Sequence, residues 1–411
     1  MIEFVISAGL FILLNFYFFF RLKVYFPKNY KLYRKIYFGF ILLFVSLILF
    51  SVFFVGLPHS NHNIFRWYFI LNFYFLIFIL SISLYVVFIL LSDILLAFTF
   101  FSKIKDTIIK TQKYLVFIAT SFFLILLILL HYGLFFGIGN FKLITHDIKH
   151  KAFPESFDGL KIVHFSDTHL GSFFRHSTVK KGVELIKNQN ADIVCFTGDL
   201  VNISTDEALP YLELFASITA PLGKYAVLGN HDLSDYRKFD IPRDSQNVNT
   251  LEIVKILKRM GFVVLRDSAI TISSGKNTIN IIGTDNWGNP PFKRTGDIDK
   301  AIQYIDIDNF NILLTHDPNY WSSVILDKYP IHITLSGHTH GFQSGYRNSN
   351  NTLSLSSLKY KHSLGLYNVN GRYINVNAGF GFIGIPARVG VKPEISVIKL
   401  FSDFNKNLLL F

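Results

Sequence analysis

The hydrophobic residues are distributed unevenly along the chain of 411 residues, and the pattern changes near residue 140. Before that point, four long apolar runs are separated by short polar segments. Crossing a bilayer takes about 20 helical residues, and backbone groups within lipid must be paired inside the segment itself. The pattern therefore predicts a bundle of four membrane-spanning helices, at 2–20, 36–55, 67–91 and 114–136.

From about residue 142 the chain changes to short runs rich in β-branched residues, separated by Gly, Asn, Asp and Pro. The clearest runs read KIVHF, DIVCF, YAVLG, NILLT and IHITL. Uninterrupted apolar runs of this length are typical of central strands that are buried on both faces of an α/β sheet. We therefore divide the chain into a membrane region (1–136), a linker with a first strand (137–157) and an α/β domain (158–411).

The composition agrees with this division, because 51% of the residues are hydrophobic while 17% are charged. The net charge of +12 belongs partly to the loops of the membrane region. No basic stripe interleaved with aromatic residues stands out, so nucleic acid is not expected as a partner. The single cysteine, Cys195, lies in the apolar run DIVCF and excludes an internal disulfide.

Basic residues in the loops predict the orientation of the membrane region. The segment 21–35 carries six Lys and Arg residues, 56–66 carries only Arg66, and 103–113 carries four Lys residues. Basic loops remain on the cytoplasmic side. We therefore expect a multi-pass membrane protein whose C-terminal domain is extracytoplasmic.

Each predicted central strand is followed by a short polar motif: SDTHLG, TGDLV, GNHD, THDP or SGHTHG. The carboxyl ends of the strands in an open α/β sheet meet in one crevice, so the five motifs can form one site. The motifs supply Asp167, His169, Asp199, Asn230, His231, His316, His338 and His340. Any one of these residues is ordinary after a strand. The eight together predict a shared site.

Imidazole, carboxylate and amide groups are together the ligands of first-row metals such as Mn, Fe or Zn. The absence of a Cys cluster argues against a structural zinc site. A carboxylate can bridge two divalent ions, and such a pair can generate a hydroxide nucleophile while neutralising phosphoryl oxygens. The motifs therefore predict a dinuclear metal centre that hydrolyses phosphate esters.

In this order, the motifs resemble those of the calcineurin-like metallophosphoesterase superfamily. That resemblance covers roughly residues 160–400 and implies a layered β-sandwich flanked by helices. It implies a first metal bound by Asp167, His169, Asp199 and His340. It implies a second metal bound by Asp199, Asn230, His316 and His338. Asp199 and a hydroxide would bridge the ions, His231 would protonate the leaving oxygen, and Asp232 would orient His231.

Flanking segments such as SFDGLKIVHF and PARVGVKPEISVIKL are similar to the bacterial, membrane-tethered branch that includes YkuE and YaeI. This resemblance implies a phosphodiester or pyrophosphate in the cell envelope as substrate, with a lipid-linked phosphoester among the candidates. Arg388 and Arg294 are candidate substrate contacts, although Arg294 equally fits a solvated loop. The alternative function is an inactive membrane scaffold or sensor that retains the fold. The oligomeric state is left open.

Overall fold

The computed structural model describes residues 28–55, 105–234, 243–288, 294–347 and 352–403, with a few residues between 16 and 97. The chain divides into two compact units, Met1–His131 and Tyr132–Phe411. Two long helices precede the α/β domain, α1 (Tyr30–Val55) and α2 (Lys105–Phe135).

The predicted membrane spans at 36–55 and 114–136 coincide with α1 and with most of α2. The predicted spans at 2–20 and 67–91 lie largely outside the described residues. Within the described part of the chain, no helix has both the length and the apolar character that crossing a membrane requires. The predicted four-helix transmembrane bundle is therefore not supported by these helices.

The first of two large sheets, sheet I, has six strands. Their spatial order is β1 (Lys142–His150), β14 (Glu394–Ser402), β2 (Leu160–Phe165), β3 (Ile193–Phe196), β4 (Lys224–Ala226) and β5 (Val263–Val264). Strands β2 to β5 are parallel, whereas β14 runs antiparallel to β2 and parallel to β1. The carboxyl ends of β2, β3 and β4 therefore lie at one edge of the sheet.

Sheet II also has six strands. Their order is β12 (Gly365–Val369), β13 (Arg372–Val376), β9 (Ile333–Ser336), β8 (Phe310–Leu314), β7 (Asn277–Gly283) and β6 (Ser268–Ser274). The four strands from β13 to β7 are parallel, and an antiparallel strand closes each edge. A separate hairpin pairs β10 (Gly345–Arg347) with β11 (Thr352–Ser354).

Short helices accompany the sheets. They are α3 (His176–Lys187), α4 (Leu212–Ala216), α5 (Arg243–Arg259), α6 (Ile298–Ile302) and α7 (Leu326–Lys328). A π-helical turn, Trp321–Ile325, precedes α7.

The hydrophobic core has three layers because successive side chains of a strand point to opposite faces. Ile162 of β2 belongs to the central cluster, which also contains Ile281 and Ile312 of sheet II. The next residue, Val163, packs instead with helix residues such as Val183 of α3. A third cluster covers the other face of sheet II. The predicted layered β-sandwich flanked by helices is confirmed.

Candidate metal centre

The five predicted motifs follow β2, β3, β4, β8 and β9, and the structure brings them together. Strands β2 and β3 end in register, with Phe165 paired to Phe196, and β8 and β9 do the same through Leu314 and Leu335. These strands are largely buried, and the candidate ligands come in the loops that follow their ends. This arrangement concentrates the polar groups of both sheets at one place.

Five residues of these loops have a left-handed backbone conformation, which side-chain-bearing residues seldom adopt. Their φ values are 54° at Asp167, 42° at His169, 60° at Asp199, 71° at His338 and 51° at His340. Backbone strain of this kind persists where surrounding structure enforces it, and it is concentrated at functional sites. Here Asp167 N–H donates to Gly198 O at 2.8 Å, which fixes one of the turns.

One cluster of possible ligands contains Asp167, His169 and His340. His340 Nε2 lies 3.2 Å from Asp167 Oδ1 and 3.2 Å from His169 Nε2. All three residues are buried. The candidate ligand atoms of these three residues, which follow strands of both sheets, are therefore close enough together to bind one cation.

A second cluster contains Asp199, His316 and His338. His316 Nε2 lies 3.2 Å from Asp199 Oδ2 and 3.2 Å from His338 Nδ1. The same Asp199 Oδ2 is 3.6 Å from His169 Nε2 of the first cluster. Asp199 is therefore placed between the two clusters.

Asn230 supplies an independent test of whether metal ions fit this site. Its side chain is buried, and its Oδ1 has no hydrogen-bond partner. Buried polar atoms are almost always paired, and the next residue, His231, donates its N–H to Asp199 Oδ1, so this amide oxygen is suited to bind a cation beside Asp199. The preceding residue, Gly229, has no room for a side chain, because an added Cβ would lie 2.1 Å from Asp199 Oδ1. The donor set fits two divalent ions.

The carboxylates of the site remain anionic despite their burial. Burial acts to raise the pKa of Asp167, but His340 and His316 hold that pKa below its usual range. Burial acts in the same way on Asp199, and His316 and His231 hold its pKa well below the ordinary value. Two buried anions are costly unless cations compensate them. The site therefore requires positive charge.

The imidazoles divide into two groups. Burial lowers the pKa of His169, His231 and His338, which keeps these rings neutral and able to bind a metal. For His316, burial is outweighed by the charge of Asp199, and the pKa rises to about 10. A metal ion at His316 would compete with that proton, because only the deprotonated nitrogen is a ligand.

The structure gives His231 a contact that the sequence did not predict. His231 Nδ1 lies 2.6 Å from the backbone oxygen of Asn202. The Asp232 carboxylate instead accepts N–H groups from Asp199 at 2.7 Å, Leu200 at 2.9 Å and Gly229 at 3.1 Å. Asp232 therefore fastens the loops after β3 and β4 together, and its role in orienting His231 stays a prediction. A backbone carbonyl leaves no side-chain signal in the sequence.

Two further contacts behind the ligands were not predicted. Asp317 Oδ2 lies 3.7 Å from His338 Nε2, the nitrogen that does not face His316. His316 Nδ1 lies 2.7 Å from the backbone oxygen of Thr197. Such outer contacts fix ring orientation and raise ligand basicity. The motif THDP contained the signal for Asp317, because that residue directly follows a predicted ligand.

Arg388 was predicted as a substrate contact, but the structure gives it another task. The side chain is only 2% exposed, and burial lowers its pKa to about 9. Its guanidinium donates to the backbone oxygens of Ala378 at 2.8 Å and Gly381 at 2.8 Å, and it lies 3.3 Å from His340 Nδ1. Arg388 is therefore fixed by backbone carbonyl groups next to His340, and a substrate contact stays a prediction.

Arg294, the other predicted substrate contact, is exposed and lies over the ring of Trp287, 4.4 Å from its centroid. Its Nε donates to Gly288 O at 3.0 Å, and Trp287 stacks on Tyr320. These contacts order the start and end of the segment 286–297. A substrate contact by Arg294 stays a prediction.

The two-sheet sandwich and its strand-end cluster of His, Asp and Asn define a metallophosphoesterase. The model of the calcineurin-like phosphoesterase family matches residues 160–342, which contain all five motifs. The chain belongs to this family and is a hydrolase acting on ester bonds.

Among its relatives, the chain is similar to the uncharacterized metallophosphoesterase YkuE of Bacillus subtilis, with 31% identity over 62% of this chain and 84% of that protein. It is 28% identical to a transmembrane protein with metallophosphoesterase domain from Danio rerio, over 66% of this chain and 59% of that protein. It is 29% identical to the UDP-2,3-diacylglucosamine pyrophosphatase LpxG of Chlamydia trachomatis, over 45% of this chain and 64% of that protein.

Proposed function

We propose that this phosphoesterase uses two divalent metal ions to hydrolyse a phosphodiester or pyrophosphate in a lipid-linked substrate of the cell envelope. The observation that carries the proposal is the position of Asp199, whose Oδ2 lies 3.2 Å from His316 Nε2 and 3.6 Å from His169 Nε2. A buried carboxylate oxygen between two imidazole clusters is suited to serve two cations at once.

The two ligand sets follow from the clusters and from the family pattern. The first ion would be held by Asp167, His169, Asp199 and His340. The second would be held by Asp199, Asn230, His316 and His338. When bound, such ions supply a nucleophile derived from water and neutralise the oxygens of the phosphoryl group. Mn, Fe and Zn all suit this mixture of oxygen and nitrogen donors.

His231 is the candidate proton donor to the leaving oxygen. Asn202 O, 2.6 Å from Nδ1, requires a proton on that nitrogen, so any proton given to a substrate must be held on Nε2. Burial lowers the pKa of His231 in the free protein. The negative charge of an arriving phosphoester would raise that pKa and favour the doubly protonated ring.

The envelope location is part of the same proposal. Its support is the alternation of two strongly basic loops with a loop that carries only Arg66, together with relatives whose names describe a transmembrane protein and a pyrophosphatase of a lipid precursor. A reporter fused after Phe411 tests the orientation. Alkaline phosphatase activity is expected there, and a fusion that is active only as a cytoplasmic fluorescent protein would exclude it.

The activity is tested by incubating the purified full-length chain with Mn²⁺ and a panel of small diesters, nucleotide-linked lipids and phospholipids. We expect hydrolysis of a diester or pyrophosphate and identify the products by mass spectrometry. Loss of activity in Asp199→Ala, with activity retained in the exposed control Asp206→Ala, assigns hydrolysis to this centre. A wild-type chain that binds metal but hydrolyses nothing would favour the inactive scaffold.

A further inference from the structure

An exposed apolar surface lies beside the metal centre. It is formed by the turn after His340, the hairpin β10–β11 and the 3-10 turn Leu355–Leu358. Its members are Phe342, Tyr346, Leu353, Leu355 and Leu358, here called the hairpin surface. Leu353 is 69% exposed and Leu358 is 88% exposed. Grouped exposure of large apolar side chains marks an interaction site, whereas isolated cases are ordinary.

The geometry of the hairpin aligns these side chains. Tyr346 is the cross-strand partner of Leu353, so the two side chains share one face of the hairpin. Leu355 N–H donates to Ser344 O at 3.2 Å, which attaches the following turn to the base of the hairpin. The surface is therefore one structural unit.

Tyr360 connects this surface to the metal ligands. Its buried ring makes edge contacts with His338, at 5.9 Å between centroids, and with Phe342, at 6.2 Å. Phe342 is also only two residues beyond His340. Whatever contacts the hairpin surface is thus held close to the candidate metal centre.

The charged residues near the hairpin surface indicate what kind of partner binds it. Between Lys328 and Pro393 there is no Asp or Glu, whereas the same stretch contains seven Lys and Arg residues. Lys359 and Lys361 are exposed and follow Leu358 almost directly. Exposed leucines next to lysines, without acidic residues, are typical of a surface that lies on anionic lipid. Two copies of this surface facing each other would bring like charges together.

Backbone hydrogen bonds connect the hairpin, through residues 388 and 389, to the C-terminal end of α2. Gly345 N–H donates to Val389 O at 3.0 Å, and Arg388 N–H donates to Gly133 O at 3.3 Å. Next to Gly133 the side chains of Tyr132, Phe135 and Phe136 are exposed. Aromatic side chains are enriched at the boundary between lipid and water. These residues are further exposed apolar side chains of the same unit, Tyr132–Phe411.

We propose that the hairpin surface docks onto an anionic lipid bilayer and holds the metal centre against the headgroups. The leucines and Tyr346 enter the interface, while Lys359 and Lys361 pair with lipid phosphates. The docking does not depend on catalysis. Its consequence, that phosphoesters at a bilayer surface are the substrates, rests on the function proposed above.

A single labelled position tests the docking. Cys195 is the sole cysteine and is buried, and burial raises the pKa of its thiol, so it reacts poorly with maleimides. A cysteine introduced as Leu358→Cys can therefore be labelled selectively with an environment-sensitive fluorophore. Tyr304→Cys, at a residue 89% exposed and beyond α6, is the matched control. Both positions are exposed, so neither change should disturb folding.

The labelled full-length chain is mixed with lipid and detergent, and the detergent is then removed to form vesicles that contain nitroxide-bearing lipid. In phosphatidylglycerol vesicles we expect a blue-shifted emission at Leu358→Cys and quenching about threefold or more stronger than at Tyr304→Cys. In phosphatidylcholine the difference should shrink, because the lysines lose their partners. Equal, weak quenching of the two probes in both lipids would overturn the docking.

Two controls separate the other outcomes. Hydrolysis of bis-p-nitrophenyl phosphate by the labelled chain reports the metal centre directly. If the unlabelled wild type does not hydrolyse this diester, the proposed function is wrong, but the quenching result still tests the docking. A blue shift that also occurs in detergent without lipid, and grows with protein concentration, would mean that a second copy covers the surface and would overturn the lipid assignment.

Discussion

The two sheets contribute different chemistry to one site. The loops after β2, β3 and β4 of sheet I supply both ligand carboxylates, the amide of Asn230 and two imidazoles. The loops after β8 and β9 of sheet II supply three imidazoles. The contacts cross from sheet to sheet, as in His340 with Asp167 and His316 with Asp199. Sheet I therefore carries the negative charge that sheet II, with its neutral or cationic rings, balances in the absence of metal.

The comparison predicts that removing the carboxylate shared by both clusters has the largest effect. Asp199→Ala should abolish detectable hydrolysis and remove both ions, because Asp199 faces His169 and His316 at once. Activity toward bis-p-nitrophenyl phosphate and elemental analysis measure the two effects. Asp206→Ala, on an exposed 3-10 turn, should match the wild type. Activity that survives in Asp199→Ala would break the two-sheet account.

The next largest effect should come from the sheet I imidazole that was assigned to proton transfer. His231→Ala should lower kcat by about 10²- to 10⁴-fold, the usual contribution of a positioned acid or base, while both ions are retained. Steady-state kinetics and metal content together check this outcome. His176→Ala removes an exposed imidazole from α3 as the control. If His231→Ala lost an ion, His231 would be a metal ligand instead. Its ring lies close enough to His169 and Asp199 for that role.

A smaller effect, on metal affinity, is expected from changing Arg388, which contacts the sheet II ligand His340. Arg388→Lys keeps the charge but cannot reach Ala378 O and Gly381 O together, so His340 should lose its fixed position. Metal affinity should fall by about 10- to 100-fold, as for other outer contacts of metal ligands. Competition with a fluorescent chelator measures it. Arg259→Lys at the end of α5 is the exposed control, and an unchanged affinity in Arg388→Lys would show that Arg388 only packs.

The smallest effect should follow from Asp317→Asn. The amide retains the shape of the side chain but loses the charge beside His338 Nε2. We expect a drop in metal affinity of about tenfold, at the lower end of the range for such contacts, with the fold unchanged. The thermal midpoint and the chelator competition together report this. Asp327→Asn, exposed on α7, should change neither. A loss as large as that of Arg388→Lys would mean that the two sheet II imidazoles His338 and His340 depend equally on their outer contacts.

The sequence predicted the parts of this fold that local patterns determine. Buried strands such as β2 and β8 are compact, mostly apolar runs, and the residues after them carry the motifs. The place of β14 could not be predicted in this way. It comes from residues 394–402 yet lies between β1 and β2, and such pairing depends on contacts far apart in the chain.

Prediction of the candidate site from the sequence was limited in a similar way. Side chains aimed at the metals were found because their residue types were distinctive in those positions. The support of His231 by Asn202 comes from a backbone oxygen, which every residue possesses. The carbonyl contacts of the buried Arg388 could not be predicted either, because an arginine near a phosphoesterase site first suggests an anion as its partner.

In the function proposed above, loops from both sheets form a single centre for two ions around Asp199. The most direct measurement is anomalous diffraction from crystals of the chain grown with Mn²⁺. We expect two peaks on either side of the Asp199 carboxylate, one beside His169 and His340 and the other beside His316 and His338. A single peak, or peaks that do not contact Asp199, would contradict this proposal.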